Sequence, residues 1–244
     1  MNNLTMRNLV MLQDALNEYI TKDWKNNRTE LDFMIAGTLE LAELMDSEYK
    51  DGEGHTHNVG WKWWKGSNKK RTTDTLKWDE LHPKVLDNIK IELTDLLFFA
   101  LSQKRLNDLY DEEEVLLVDN DWLNLMSINA ALLLQYPGRA IQIILKLSKK
   151  LNFNIATYYI AKHHLNVFRQ SNGYKNNSYK KIENGMEDNE HLHSLIKDIT
   201  YEELSNDFEK TFDKIADRFY DSFGVVEDKK YFTFWNQIID RKKV

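Results

Sequence analysis

The chain has 244 residues, with 33 Lys plus Arg against 39 Asp plus Glu, and therefore a formal net charge of −6. This acidic balance gives no overall attraction for nucleic acid or for an anionic membrane, so we expect neither as a partner. The sequence has no cysteine, which excludes disulfides, thiolate nucleophiles and cysteine-ligated zinc.

Turn-forming residues are scarce, with nine Gly and two Pro. Because sheet proteins need many turns, this scarcity favours long helices with few connections. Arg7, Asp14 and Glu18 stand where a signal peptide would need an apolar core, and no apolar run of about 18 residues follows. We therefore expect one all-α helical bundle over residues 1–244, located in the cytoplasm.

Apolar periodicity and helix-end signals predict the helices in chain order. They cover residues 4–22, then 29–47 after a Thr29-x-x-Asp32 capping box, 83–107 after Pro83, 121–136, 139–151, 153–170, and 200–224 after Thr200-x-x-Glu203. Two polar stretches, residues 48–77 and 171–190, are predicted to be loops inserted into this domain.

Two pairs of carboxylates lie on the two most apolar helices. Glu40 and Glu43 share one face of the second helix, and Glu92 and Asp95 share one face of the third. Apolar residues cover most of the remaining surface of both helices, so we expect the second helix to be central rather than half-exposed. Burying an unpaired carboxylate costs several kcal/mol, and either a divalent cation or a salt bridge to Lys or Arg would offset that cost.

An all-oxygen donor set without His or Cys suits Mg²⁺ or Mn²⁺. A di-iron bundle would instead show Glu-x-x-His pairs, and neither pair has His in that place. The pattern therefore favours metal-assisted attack on phosphate.

Basic residues interleave with aromatic or amide groups at two places. The segment 60–66 alternates Trp and Lys, which suits base stacking and phosphate binding but equally a hydrophobic anchor. Lys162, Asn166 and Arg169 fall on one helical face that leads into the polar 171–190 stretch. Beside a metal cluster, such positive charge would hold a triphosphate.

The histidines are weaker candidates. His55 and His57 lie in a glycine-rich stretch, where an exposed residue without a function is the better interpretation. His163 and His164 are adjacent on a helix, so at most one of them can face a site.

Several motifs, taken together and in order, resemble the all-α dimeric dUTPases, which belong to the wider MazG-like pyrophosphatase group. The matching pieces are Leu12-Gln13-x-x-Leu16-Asn17, Glu40-Leu-Ala-Glu43-Leu-x-Asp46-Ser47, Trp61-Lys62-Trp63-Trp64-Lys65, Ile91-Glu92-Leu-x-Asp95, Lys162-x-x-Leu165-Asn166-x-Phe168-Arg169, Gly173-Tyr174, Tyr179-x-Lys181 and Glu187-Asp188-Asn189.

This resemblance implies a fold, a reaction and a set of site residues. It implies an all-α pyrophosphatase bundle that forms a homodimer and attacks the α-phosphorus of dUTP, and also of dUDP, with a metal-activated water to give dUMP. Glu40, Glu43, Glu92 and Asp95 would be the catalytic ligands of Mg²⁺, with Mn²⁺ as a substitute, and Glu43 would orient the water or take its proton. The implied substrate-binding residues are Gln13 and Asn17 for uracil, Asn166 for the nucleoside, and Lys62, Lys65, Lys162, Arg169, Tyr174 and Lys181 for phosphates.

Three alternatives stay open at this point. Either uracil or cytosine could hydrogen-bond to a Gln or Asn amide that can flip, which allows a dCTP or broader dNTP pyrophosphatase. A second alternative is a regulatory protein that binds nucleotides without hydrolysing them. A third is a structural helical dimer in which Glu40 and Glu92 pair with Arg or Lys.

Overall fold

The computed structural model describes residues 3–62, 76–106, 114–183 and 186–223. Within these ranges α-helices dominate, so the fold is all-α as the sequence predicted. The helices are α1 (Asn3–Ile20), α2 (Trp24–Asn27), α3 (Glu30–Met45), α4 (Pro83–Leu106), α5 (Asp121–Leu133), α6 (Pro137–Lys150), α7 (Ile155–Ser171), α8 (Asp188–Ile196), α9 (Tyr201–Asn206) and α10 (Phe208–Phe223). The described residues also contain two short antiparallel hairpins, β1 (Glu48–Lys50) with β2 (Thr56–Asn58), and β3 (Ile182–Glu183) with β4 (Met186–Glu187), and two 3-10 helices, Trp78–Glu80 and Tyr174–Asn176.

The chain divides into two compact units. The first unit comprises residues Met1–Arg28 and Asn154–Val244, and the second comprises residues Thr29–Phe153. The expectation of one domain over residues 1–244 stays a prediction. None of the helices in the described ranges is long and apolar enough to cross a lipid bilayer.

In the second unit, α3 packs along α4 and α5, and α6 packs against α4 and α5. The predicted capping box begins α3, because the Asp32 carboxylate accepts hydrogen bonds from the Thr29 backbone N–H at 2.7 Å and from its hydroxyl at 3.0 Å. Gly37 allows the close approach of α5, since a Cβ there would lie 2.7 Å from Leu132 Cδ1. A larger residue at this point of the helix contact would therefore require the Leu132 side chain to move.

The prediction that α3 is surrounded by apolar neighbours is wrong for the single chain. Leu31, Ile35 and Leu39 are 58%, 54% and 58% exposed. The helices α4 and α5 supply the main contacts of α3 and cover only part of its apolar surface. An apolar stripe on α3 therefore faces outward in one copy of the chain.

In the first unit, α7 packs against α1, α8 and α10. The side chains at the centre of this unit are fully buried, and they include Leu9 and Leu12 from α1, Tyr159 from α7, and Phe212 and Phe219 from α10. The apolar periodicity of α1 and α7 therefore faces a shared core.

The structure corrects three sequence predictions of loops and helix ends. The predicted loop 48–77 contains the β1–β2 hairpin, and the predicted loop 171–190 contains the start of α8. The predicted helix 200–224 is divided at Asp207, whose carboxylate accepts the Lys210 backbone N–H at 3.0 Å and thereby begins α10. Its predicted end at Gly224 lies outside the described residues.

Candidate active site

Three of the four predicted carboxylates meet where α3 and α4 pack together. One oxygen from each of Glu40, Glu43 and Glu92 lies within 4.8 Å of the others. Glu92 is buried, Glu40 is half-buried and Glu43 is exposed, so the cluster reaches solvent on its Glu43 side. Asp95, one turn after Glu92 and half-buried, lies outside this group of three.

A side-chain hydrogen bond sets the register of the two carboxylate faces. The Asn88 amide of α4 donates to the Ser47 hydroxyl, just after α3, at 2.8 Å. Ser47 follows Glu43 by four residues, and Asn88 precedes Glu92 by four, so each bonded residue lies one turn from a carboxylate. The contact thus aligns the faces that carry the cluster.

The donor set fits a hard divalent cation. With Mg²⁺–oxygen distances of about 2.1 Å, two opposite ligand oxygens are about 4.2 Å apart, which is close to the 4.8 Å limit of this group. Three carboxylates at this separation repel one another, and a bound cation would offset the repulsion. No His or Cys belongs to the group, as expected for a Mg²⁺ or Mn²⁺ site.

Lys62 lies beside the end of α3. Its ammonium forms an ion pair with the Asp46 carboxylate and lies 5.1 Å from the centroid of the Trp61 ring. The Trp61 indole N–H donates to Asp46 Oδ1 at 2.9 Å. These contacts hold the start of the Trp-Lys segment against Asp46, which lies three residues after Glu43. Lys65, the other predicted phosphate ligand of this segment, lies outside the described residues.

The two predicted uracil-binding residues form one hydrogen-bonded pair on α1. Gln13 Nε2 donates to Asn17 Oδ1 at 2.8 Å, and both side chains are buried. The hydroxyl of Tyr159 on α7 donates to Gln13 Oε1 at 2.7 Å. Sequence reasoning missed Tyr159, because a tyrosine on an apolar helix face gives no signal beyond core packing.

The basic face of α7 is anchored by the start of α8. Arg169 binds Asp188 through two hydrogen bonds, Nε to Oδ2 at 2.9 Å and an Nη to Oδ1 at 2.6 Å, and both side chains are buried. Asn189 Oδ1 accepts from Lys162 Nζ at 2.8 Å and from Arg169 at 3.2 Å. Asn166 is half-buried, and its side chain makes no hydrogen bond within the described residues.

Burial and charge both act on the Asp188 carboxylate. Burial alone would raise its pKa, but the hydrogen bonds and charge of Arg169 outweigh burial and lower it. Asp188 is therefore ionised at neutral pH and neutralises Arg169. The motif Glu187-Asp188-Asn189 does not by itself indicate this role of Asp188.

Tyr174, Tyr179 and Lys181 surround the same ion pair. Tyr179 donates to Asp188 Oδ2 at 2.9 Å, and burial is the main reason why its pKa is raised. The ring of Tyr174 has Lys181 Nζ at 5.8 Å and the Arg169 guanidinium at 5.9 Å from its centroid. The polar stretch after α7 is therefore ordered around Asp188.

The histidines make contacts that the sequence did not suggest. His57 is half-buried and bonds through Nε2 to Asp51 at 3.0 Å, and His55 bonds to the same carboxylate at 3.2 Å. The His57 bond is the main cause that lowers the pKa of Asp51 to about 2. These two histidines therefore stabilise the β1–β2 hairpin. His163 and His164 are both fully buried.

These observations define an all-α protein with a cluster of three carboxylates, which could hold a cation, on two packed helices. Residues 5–174, most of the chain, match the family model described as dUTPase. The chain therefore belongs to the all-α dUTPase family, whose members act on nucleotides as pyrophosphatases. The match ends before Tyr179, Lys181 and Asp188. No curated protein matches the sequence significantly.

Proposed function

We propose that this protein hydrolyses dUTP, and also dUDP, to dUMP with release of pyrophosphate or phosphate, in a reaction that requires Mg²⁺. The observation that carries the proposal is the group formed by Glu40, Glu43 and Glu92 in a member of the dUTPase family. The reaction would take place in the cytoplasm, the compartment that the cysteine-free sequence predicts.

The carboxylates would act as metal ligands. Glu40, Glu43 and Glu92 would hold Mg²⁺, or Mn²⁺ in its place, with Asp95 as a further donor from the next turn of α4. When bound, the ion would supply charge neutralisation of the phosphates and activation of water for attack at the α-phosphorus. Glu43 is the exposed member, so it is the carboxylate best placed to orient that water or take its proton.

The predicted phosphate ligands differ in what they can offer. Lys181 is exposed, whereas Lys162 is 3% exposed and donates to Asn189. Arg169 is already bound by Asp188, so we propose that it positions the residues after α7 rather than carrying most of the phosphate charge. Lys62, Lys65 and Tyr174 are the other proposed phosphate ligands.

Base recognition is proposed for Asn17, supported by Gln13, with Asn166 holding the nucleoside. The direct hydrogen bond between the two α1 amides at 2.8 Å supports their acting as one recognition element. Cytosine remains the alternative base, and pyrophosphate release that is faster from dCTP than from dUTP would favour it.

We also propose that the protein is a homodimer. The exposed stripe of α3, Leu31, Ile35 and Leu39, runs beside α5, on which Leu123 and Leu133 are 56% and 48% exposed. Two neighbouring helices that both expose large apolar side chains are typical of a protein interface. A second copy of the chain would cover this surface and make α3 the central helix that its sequence predicts.

Mg²⁺ titration of a Glu92→Gln variant tests the proposed function. The substitution removes one anionic ligand while keeping the size of the side chain, so we expect Mg²⁺ affinity to fall about 100-fold and dUTP turnover to be lost. Calorimetry with Mg²⁺ and a non-hydrolysable dUTP analogue measures binding, and pyrophosphate release measures turnover. Asp87→Asn is the matched control, because Asp87 lies on the same helix outside the cluster and pairs with Lys90 at 3.1 Å.

Two other outcomes would contradict the proposal. Binding of the analogue without any turnover by the wild-type protein would identify a non-catalytic nucleotide-binding protein. Unchanged Mg²⁺ affinity in Glu92→Gln, with an altered melting temperature, would identify Glu92 as part of a structural ion pair.

A further inference from the structure

Two contacts hold α3 against α4, one on each side of the carboxylate cluster. At one end, the Asn88 amide of α4 donates to the hydroxyl of Ser47, just after α3, at 2.8 Å. At the other end, a Cβ on Gly37 of α3 would lie 3.8 Å from the Cβ of Phe99 on α4, so the two backbones approach closely there. Because the end of α3 meets the first part of α4, the two helices run antiparallel.

The predicted metal ligands lie between these two contacts. Along α3, Glu40 and Glu43 follow the glycine and precede the serine, and along α4, Glu92 and Asp95 stand between the asparagine and the phenylalanine. In this antiparallel register Glu43 is level with Glu92, and both are about one helical turn from the polar contact. A change at the polar contact therefore acts first on these two carboxylates.

The polar contact is largely shielded from water. Ser47 is 2% exposed and Asn88 is half-buried. The Ser47 hydroxyl also lies 3.4 Å from the backbone carbonyl of Glu43, so it links α4 to the turn of α3 that carries this carboxylate. A hydroxyl can donate as well as accept, and the link therefore forms with either orientation of the Asn88 amide. Hydrogen bonds require a defined distance and angle, whereas apolar contacts are non-directional, so the polar contact is the one suited to fix the spacing of the two faces.

Mg²⁺ and Ca²⁺ make different demands on such a spacing. Mg²⁺ takes oxygens at about 2.1 Å in near-ideal octahedral geometry, whereas Ca²⁺ accepts oxygens at about 2.3–2.6 Å in flexible geometry. A site whose two helices are held at a fixed spacing can therefore favour the smaller ion. If the helices can separate, Mg²⁺ loses more than Ca²⁺, since Ca²⁺ tolerates longer and less regular distances.

We propose that Ser47 and Asn88 are positioning residues that hold the carboxylate faces of α3 and α4 at the spacing that favours Mg²⁺ over Ca²⁺. The proposal rests on the proposed function, in which Glu40, Glu43 and Glu92 hold Mg²⁺. The two positioning residues act through the carboxylates one turn away and need no contact with the ion.

The test measures the affinity for Mg²⁺ alone and for Ca²⁺ alone by calorimetry, in the wild type and in Ser47→Ala. We expect the ratio of Mg²⁺ affinity to Ca²⁺ affinity to fall about fivefold in the variant, because Mg²⁺ affinity decreases while Ca²⁺ affinity is nearly unchanged. Asn129→Ala is the matched control. It removes the acceptor of the Thr38 hydroxyl, also at 2.8 Å, in a contact that joins α3 to α5 instead of α4, and it should keep the wild-type ratio.

A second variant, Asn88→Ala, breaks the same bond from the other helix and keeps the test valid if Ser47→Ala misfolds. It should lower the affinity ratio to a similar degree, and the double variant should show no further loss, because both changes remove one interaction. In all three variants the Mg²⁺ concentration for half-maximal dUTP turnover should rise, while kcat at saturating Mg²⁺ should stay near the wild-type value.

The outcomes separate the positioning role from the proposed function. An unchanged affinity ratio in Ser47→Ala and Asn88→Ala, or an equal fall in both affinities, would overturn the positioning role while dUTP turnover by the wild type would leave the hydrolase intact. A ratio that falls in both variants, without turnover of dUTP by the wild type, would support the positioning role and overturn the hydrolase.

Discussion

Gly173 shows how one residue determines the turn that follows α7. Its φ is +88°, in the left-handed region, and a Cβ at this position would lie 2.0 Å from Ser178 Oγ and 2.8 Å from Asn176 Oδ1. The backbone conformation therefore favours glycine, and a larger residue would also require the Ser178 and Asn176 side chains to move. The turn carries Tyr174, a proposed phosphate ligand.

Gly173→Ala should destabilise the protein by about 1–3 kcal/mol and weaken dUTP binding, because a strained backbone and a steric clash are combined. Urea unfolding and the KM for dUTP measure the two effects. Gly54→Ala provides strain without a clash, at φ +87°, and Gly52→Ala provides neither. The expected order of destabilisation is Gly173, then Gly54, then Gly52, and an equal effect at all three would contradict the explanation.

His164 is a second residue whose environment predicts a measurable property. It is fully buried against Phe212, with ring centroids 4.6 Å apart, and neither ring nitrogen has a hydrogen-bond partner among the described residues. Burial, with a smaller effect of the neighbouring His163, lowers its pKa well below 6.5. The folded state therefore holds His164 neutral.

Below pH 6.5 the unfolded chain takes up a proton at His164 that the folded state does not bind. The contribution of this residue to stability is therefore complete above pH 6.5 and decreases as the pH falls. Between pH 7.5 and 5.0 we expect the wild type to lose about 2 kcal/mol more unfolding free energy than His164→Leu. Urea unfolding of both proteins at both pH values measures this difference in unfolding free energy. The same change at the half-buried His191 should leave the pH dependence in place, and equal losses in wild type and His164→Leu would refute the assignment.

At the scale of elements, the Arg169–Asp188 pair joins α7 to α8. It is bidentate and buried, with side-chain exposures of 8% and 6%. Breaking such a pair leaves an uncompensated buried charge. Because the pKa of Asp188 is lowered, the pair stabilises the fold at neutral pH, and this contribution is lost as the pH falls below about 3.8.

Arg169→Ala should lower the free energy of unfolding by about 3–5 kcal/mol. The matched control is Arg218→Ala, because Arg218 forms a bidentate pair with Asp198 in which the two side chains are 31% and 56% exposed, and its loss should cost less than about 1 kcal/mol. Urea unfolding gives both values. Unchanged stability of Arg169→Ala with a raised KM for dUTP would instead identify Arg169 as a direct phosphate ligand, as the resemblance implies.

The bounds of some helices could be predicted from the sequence, and those of others could not. The first and last residues of α4 were predicted to within one residue, because Pro83 and the apolar periodicity are local signals. The start of α8 was missed, because the apolar residues that bury it, Leu192 and Leu195, come after the polar stretch that was interpreted as a loop. Its first residue is held by Arg169, nineteen positions earlier, and no local pattern reports such a contact.

At the scale of the whole molecule, the exposed apolar stripe of α3 predicts an assembly. Leu39→Glu places a charge in the middle of that stripe, where burial against a second copy would cost several kcal/mol. We expect the wild type to be a dimer and the variant a monomer by size-exclusion chromatography with light scattering. Tyr201→Glu, at a 41% exposed position on α9, should leave the mass unchanged. A monomeric wild type would refute the dimer.

The sequence by itself determined most of the long helices and the carboxylate pairs on α3 and α4. Glu40 with Glu43, and Glu92 with Asp95, share faces because a helix brings residues three and four positions apart together. The all-oxygen donor set, and the prediction of a hard cation, follow from residue type alone. Those predictions depend on short-range geometry, which the order of residues fully specifies.

Only the tertiary structure decided which side chains meet across helices. It brought Glu92 to Glu40 and Glu43 but left Asp95 outside the group, and it joined Tyr159 to Gln13 across 146 positions. Such contacts depend on how helices pack and rotate against one another, and many packings satisfy the same apolar periodicity. The presence of paired carboxylates on two helices was therefore predictable, whereas the contacts that join side chains of different helices were not.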